Sequence, residues 1–160
     1  MVSRKGMPSL HKTGMMEVTE LRIGSKVWYE CDDMCMTTEA TVMAIEHFGE
    51  YPNGKGPIFQ AKMLNQYGET VHENVIDLEP IPFTEEWRKR CGFEGFHVEI
   101  PTTRPDRHED NCILTITDKG CSLLGETGES EIELRKPDFV HEVQNLYRDL
   151  AGKELEIKNL

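Results

Sequence analysis

The residues best suited to chemistry in this sequence are its cysteines and histidines, because thiolates and imidazoles bind metals and act as nucleophiles or bases. Cys31 and Cys35 are separated by three residues, a spacing that could supply half of a metal site. No second closely spaced pair follows. The histidines stand singly, as His11, His47, His72, His97, His108 and His141. We therefore predict no metal site, and a metal-binding protein or an enzyme that uses isolated Cys and His residues is kept as an alternative.

The number of cysteines also bears on the compartment. Five cysteines form an odd set without a regular framework. Such a set favours free thiols in a reducing compartment over a disulfide scaffold.

One pair of polar side chains has a spacing that suits a ligand. His141 and Asn145 are four residues apart, which places them side by side on one face of a helix. An adjacent imidazole and amide can bind a ligand. Polar residues on a helix more often simply lie on its solvated face and bind nothing. Glu85 and Glu86 are less suitable as an acid–base pair, because neighbouring helix residues point about 100° apart.

Short catalytic motifs are absent from the sequence. The Gly-rich stretches complete neither the phosphate-loop nor the dinucleotide motif, and neither Gly-x-Ser-x-Gly nor His-Glu-x-x-His occurs. We predict that the protein is not an enzyme and uses no cofactor.

Charge is distributed unevenly along the chain. The formal net charge is −11, and residues 1–15 carry three basic and no acidic residues, so residues 16–160 have a net charge of −14. Nucleic-acid binding is not expected, because neutralising phosphates requires clustered Lys and Arg. An acidic nucleic-acid mimic that acts on a basic partner is a second alternative.

Hydropathy gives no sign of a membrane protein. No apolar run approaches the roughly 20 residues that a membrane span needs, and the basic N-terminus contains no apolar segment typical of a secretion signal. We expect a cytoplasmic protein.

The clearest structural pattern is an amphipathic helix at residues 138–151. Asp138 is the expected N-cap and Gly152 the expected left-handed residue after the helix. The side chains expected to face the core are Phe139, Val140, Val143, Leu146, Tyr147, Leu150 and Ala151. His141 and Asn145 fall on the opposite face, which we expect to be solvated.

The N-terminal half reads as a flexible tail, residues 1–15, followed by short strands. Runs rich in strand formers at 27–29, 38–48, 58–64 and 69–74 are separated by turn signals, and residues 75–78 close the unit. Residues 16–82 are therefore predicted to form a small SH3-like or Tudor-like β-barrel.

The C-terminal half, residues 83–160, reads as an α+β domain. Thr84 should cap a short helix at 85–91, with Trp87, Phe93 and Phe96 in the core. Strands are expected at 97–100, 111–117, 122–124 and 131–135, where Ile132 should point inward, and a final strand at 154–158. The whole chain is thus predicted to be α+β, with an antiparallel sheet covered by the major helix.

Three stretches together resemble a known family. They are ELRIGS at 20–25, PIPFTEEWRKRCGFE at 80–94 and FVHEVQNLYRDLAGKELEI at 139–157. They resemble a family of small uncharacterised proteins of gut anaerobic bacteria and their prophages, with the pattern ELRIGN, PIPLTEEWLLKFGF and VHQLQNLYFALTGEEL. The resemblance implies a cytosolic protein encoded by a bacterium or phage and implies no activity or cofactor. This chain departs from the pattern at 88–91 and 147–150, where both helices are more polar.

These observations favour a non-catalytic protein-binding or adaptor protein, associated with a phage or mobile element. Its binding surface is expected at the exposed loops 49–57 and 102–110. The candidate partner-binding residues are Trp28, Tyr29, Tyr51, His141 and Asn145. Packing in the barrel core or at its rim is the commoner role of the aromatic members.

Overall fold

Two antiparallel sheets, each with its own apolar core, account for most of the folded chain. A computed structural model describes residues 16–31, 36–101, 111–125 and 130–159. The predicted tail 1–15 and loop 102–110 lie outside the described residues. The protein is mostly β, and the expected combination of antiparallel strands with a C-terminal helix is confirmed.

The first sheet lies in the N-terminal lobe, residues 16–80. Its strands are β1 (Lys26–Cys31), β2 (Met36–Glu50), β3 (Pro57–Asn65), β4 (Thr70–Asn74) and β5 (Glu79–Pro80). Their order is β4-β3-β2-β1-β5, and the edge strands β4 and β5 are not paired with each other, so the sheet is not closed into a barrel. Register shifts at Val42/Ala44 and His47/Gly49 interrupt the pairing of β2 with β3, as bulges that bend a strand do.

The segment expected to close this unit as a strand is a 3-10 helix instead, Val75–Asp77. Val75 and Leu78 are both buried and three residues apart. A helix with three residues per turn places both on one side, whereas a strand would direct them to opposite sides. The helix leads into the two-residue strand β5.

A short helix, α1 (Glu85–Arg90), begins the C-terminal lobe, residues 81–159. The Thr84 hydroxyl accepts from the Trp87 backbone amide at 3.4 Å, which confirms the predicted cap. Trp87 and Phe93 are buried as expected. The prediction for Phe96 is wrong: its side chain is 42% exposed and lies under the Arg88 guanidinium, 4.8 Å from the ring centre.

The second sheet is a meander in which sequential strands pair. It contains β6 (His97–Ile100), β7 (Cys112–Ile116), β8 (Cys121–Leu124) and β9 (Glu131–Leu134), in the order β6-β7-β8-β9. Leu114 and Ile116 are fully buried on one face. Ile132 is 57% exposed, contrary to expectation, because β9 is the edge strand and the core does not reach its first residues.

The long helix α2 (Val140–Ala151) packs on the buried face of the second sheet. Gly152 adopts a left-handed conformation with φ 68°, as predicted. The start differs from the expectation, because Phe139 is the N-cap rather than Asp138. The Glu142 carboxylate accepts from the backbone amides of Asp138 and Phe139, at 2.7 and 3.2 Å, and so performs the capping.

The expected final strand at 154–158 is not formed. Leu155 is buried, as predicted, but the segment runs along the end of α1, where the Lys158 amide donates to the Arg90 carbonyl at 2.8 Å. The sheet provides no neighbouring strand at that position. No helix in the described ranges is long and apolar enough to cross a bilayer.

Candidate functional site

The polar face of α2 is the contact between the two lobes. The Gln144 side chain accepts from the Lys26 amide and donates to the Gly24 carbonyl, both at 2.9 Å. The Asn145 amide group donates to the Glu20 carbonyl at 2.9 Å. These bonds satisfy backbone groups of the N-terminal lobe. One face of α2 therefore packs on the second sheet, and the face expected to be solvated contacts the N-terminal lobe.

His141 lies within this contact and is 2% exposed. The prediction that it is solvated is wrong, because the N-terminal lobe covers the helix at this point. Its ring stacks on Phe139, with centroids 5.9 Å apart, and neither ring nitrogen has a hydrogen-bond partner within the described part of the chain. Burial lowers the pKa of His141, and the nearby carboxylates of Glu142 and Glu20 oppose that effect.

The aromatic candidates do not form a surface either. Tyr29 is buried in the first core and its hydroxyl lies 3.2 Å from the Asn65 amide group, so it has the core-packing role given above as the alternative to partner binding. Trp28, on the opposite face of β1, packs against the core of the C-terminal lobe. Tyr51 lies at the end of the β2–β3 hairpin, where its amide donates to the Gly56 carbonyl. The structure does not bring these residues together with Asn145.

A polar cleft of about 530 Å³ separates α1 from the first sheet. In it the Glu39 carboxylate accepts two hydrogen bonds from the Arg90 guanidinium, at 2.8 and 2.9 Å, and lies 3.3 Å from the Lys26 ammonium. The guanidinium also lies 3.8 Å above the Trp87 ring. Burial raises the pKa of Glu39, but the bonds and charge of Arg90 and Lys26 outweigh it, so the pKa lies below the ordinary value. This cluster joins the lobes and offers no free base.

The two buried thiols, Cys91 and Cys121, are poor nucleophiles. Burial raises the pKa of Cys91 to about 12 and also raises the pKa of Cys121. Cys31 is partly buried, and Cys35 lies outside the described residues. Across residues 16–31, 36–101, 111–125 and 130–159, no group of three His, Cys, Asp or Glu side chains is arranged to hold a metal ion.

The face of the second sheet opposite α2, here called the outer face, carries a regular row of side chains. Glu99, Ile113, Leu124 and Glu131 are directly opposite one another across all four strands. Directly paired residues point to the same side of a sheet, so the row has two apolar residues at its centre and a carboxylate at each end. A parallel row consists of His97, Thr115, Ser122 and Glu133.

A groove of about 570 Å³ lies on this outer face. The lining includes Ile113, Leu124, Glu94 and Glu99, and none of the residues that line it is Lys or Arg. Both apolar side chains are only half-buried. No salt bridge involves Glu94, Glu99, Glu131 or Glu133 in the described part of the protein. Within the described residues, the outer face is thus a half-buried apolar centre with carboxylates at both ends that form no salt bridge.

Comparisons with known proteins add little to this geometry. No family model and no curated protein matches the sequence. Among solved structures, the chain is similar to the extended Tudor domain from BmPAPI, with 11% identity and a TM-score of 0.31 over 66% of this chain and 68% of that chain. A TM-score this low carries no argument. The resemblance to the bacterial and prophage family stays a prediction.

The outer-face residues were not among the candidates predicted from the sequence. The signal for them was the alternation in β7, where Ile113 is the single apolar residue on the face opposite Cys112, Leu114 and Ile116. A single apolar residue on the polar side of a strand does not form an apolar patch. A patch forms only when the neighbouring strand has a second apolar residue directly opposite the first. Here Leu124 is that second residue.

Proposed function

We propose that the protein is a non-catalytic binding protein, of the adaptor kind, that engages a protein partner through the outer face of its second sheet. The observation that carries this proposal is the partly exposed pair Ile113 and Leu124 in a groove that no other described element fills. Accessible apolar surface with a polar rim is typical of protein–protein contact sites.

In this proposal the N-terminal lobe has a structural role, because it packs against α2 on the side away from the outer face. We assign it to the SH3-like or Tudor-like class as part of this proposal, because its strand order β4-β3-β2-β1-β5, a bent second strand and a 3-10 helix before the last strand suit a small, partly open barrel. The cytoplasmic location and the association with phages or mobile elements rest on the sequence and its family resemblance alone.

The rival proposal is a metal protein or enzyme built on the isolated Cys and His residues. The scatter of these residues over both lobes supports binding over that rival. Stoichiometric metal in the purified protein would revive it.

A second candidate function, an acidic mimic of nucleic acid, is favoured by the net charge of −14 on residues 16–160. In that case nucleic acid would displace the partner, and the apolar residues of the outer face would not be needed. The variants below therefore separate the two functions.

We expect the double variant Ile113→Thr with Leu124→Gln to capture at least about tenfold less of its partner than the unaltered chain, since a few residues near the centre of an interface carry most of the binding free energy. Thr and Gln remove the apolar surface without adding charge, and Thr keeps a β-branched side chain in β7. The measurement is capture from a bacterial lysate by the immobilised full chain, with mass spectrometry of the retained proteins.

The matched control is Phe48→Gln, which removes a large side chain that is 68% exposed on the β2–β3 hairpin. Capture by this variant should be unchanged. Equal capture by the double variant, or loss of capture by the control alone, would overturn the proposal. Thermal unfolding of each variant verifies that the fold is retained.

A further inference from the structure

The dimensions of the outer face restrict what it can bind. Neighbouring strands lie about 4.8 Å apart, so the ends of a row across four strands are roughly 14 Å apart. Glu99 and Glu131 stand at these ends, and Ile113 and Leu124 lie between them. The row is therefore negative, apolar and negative along a line of roughly 14 Å.

Additional carboxylates strengthen both ends. Glu94 lines the groove and forms a β-bridge with His97, two residues from Glu99 on β6, and Glu133 lies two residues from Glu131 on β9. The groove is lined by two carboxylates, Glu94 and Glu99, and by no Lys or Arg within the described residues. Two positively charged side chains with an apolar one between them are the complement of this surface.

An extended peptide can place two basic side chains roughly 14 Å apart with an apolar side chain between them. Successive residues of an extended chain rise by about 3.3 Å, so roughly 14 Å corresponds to about four residues. Side chains at i, i+2 and i+4 of such a chain point to the same side. A basic residue at i, an apolar residue at i+2 and a basic residue at i+4 would thus reach Glu99, the Ile113–Leu124 centre and Glu131 together.

We propose that the outer face binds an extended protein segment of the form basic-x-apolar-x-basic, which crosses the four strands of the second sheet. This inference rests on the proposed function and adds the chemistry of the partner. A helical segment would need a different spacing, with its basic and apolar residues at about i, i+4 and i+8, because roughly 14 Å corresponds to about nine helical residues.

The test uses short capped peptides and the full chain. The peptide Gly-Lys-Ser-Leu-Ser-Lys-Gly carries the proposed spacing, and Gly-Ser-Lys-Lys-Leu-Ser-Gly contains the same residues with the two basic side chains adjacent. Fluorescence anisotropy of labelled peptides gives both affinities. We expect the first peptide to bind roughly fivefold more tightly or better, because only it engages both carboxylate ends, and we expect this preference to shrink as salt rises.

Matched charge variants locate the interaction. The double variant Glu99→Gln with Glu131→Gln should abolish the preference for the spaced peptide. The control Glu46→Gln with Glu50→Gln, two exposed residues of the β2–β3 hairpin, should retain it. Equal binding of the two peptides, or a preference that survives the Glu99 and Glu131 changes, would overturn the inference.

The results also separate this inference from the proposed function. If the Ile113 and Leu124 variant loses its lysate partner while neither peptide binds with a preference, the outer face is a binding surface and the peptide chemistry is wrong. If that variant retains its lysate partner and neither peptide binds with a preference, both proposals fail.

Discussion

Replacing Arg90 by Ala is expected to lower the free energy of unfolding by about 3 kcal/mol, because it leaves the Glu39 carboxylate poorly compensated inside the cleft between the lobes. The side chains of Arg90 and Glu39 are only 15% and 17% exposed, so water screens them little. The change also removes the guanidinium from the Trp87 ring. Urea unfolding of the purified variant measures the effect.

The neighbouring residue Lys89 provides the matched control. Its ammonium pairs with Glu85 on the same helix, and both side chains are more than half exposed. Lys89→Ala should therefore cost no more than about 0.5 kcal/mol. Equal costs for the two variants would show that the cleft is open to water and that the Glu39 cluster does not join the lobes.

A second large effect is expected at His141. His141→Ala should destabilise the protein by about 2 kcal/mol or more, because it opens a cavity under the N-terminal lobe and removes the ring that stacks on Phe139. His141→Leu should cost less than about 1 kcal/mol or stabilise the protein, since it fills the space without burying two unpaired nitrogens. Thermal and urea unfolding give both values.

The same site predicts a pH dependence. Because burial lowers the pKa of His141 from 6.5, the unfolded chain takes up a proton at a higher pH than the folded protein does. The stability of the protein should therefore fall as pH decreases through about 6.5. In His141→Leu this part of the pH dependence should be lost.

Arg148→Ala is the control for both measurements, because Arg148 lies on the exposed side of α2 and pairs with Glu154 at 3.0 Å. It should cost about 0.5 kcal/mol or less. If His141→Ala were equally mild and the stability of the unaltered chain did not change near pH 6.5, the His141 ring would have to be accessible to water.

The parts of the fold that could be predicted from the sequence are those encoded by neighbouring residues. Thr84 and Trp87 define the start and the buried side of α1 within four residues. Gly152 ends α2 by its own backbone conformation. The β7–β8 hairpin is likewise set by the turn at 117–120.

The other features depend on residues far apart in the chain. Gln144 reads as a surface residue because its partners, Gly24 and Lys26, lie about 120 positions earlier. His141 was assigned to solvent for the same reason. A helical pattern shows which face is apolar, but it does not show that a second lobe will cover the polar face.

The candidate site on the outer face could not be predicted from the sequence, because it also depends on residues far apart in the chain. By residue type Tyr29 suits a binding role, whereas its burial follows from which face of β1 meets the first core. Conversely, the row from Glu99 to Glu131 exists only through strand register, which joins residues 32 positions apart. Register across a four-stranded meander is not visible in any one segment.

The most direct test of the proposed binding surface is a map of amide chemical shifts in the isotope-labelled full chain during titration with the peptide that carries the spaced basic residues. We predict that the largest shifts occur at Glu99, Ile113, Leu124 and Glu131, while the β2–β3 hairpin is unaffected. Shifts confined to the N-terminal lobe, or an unchanged spectrum at saturating peptide, would contradict the assignment of the outer face as the partner site.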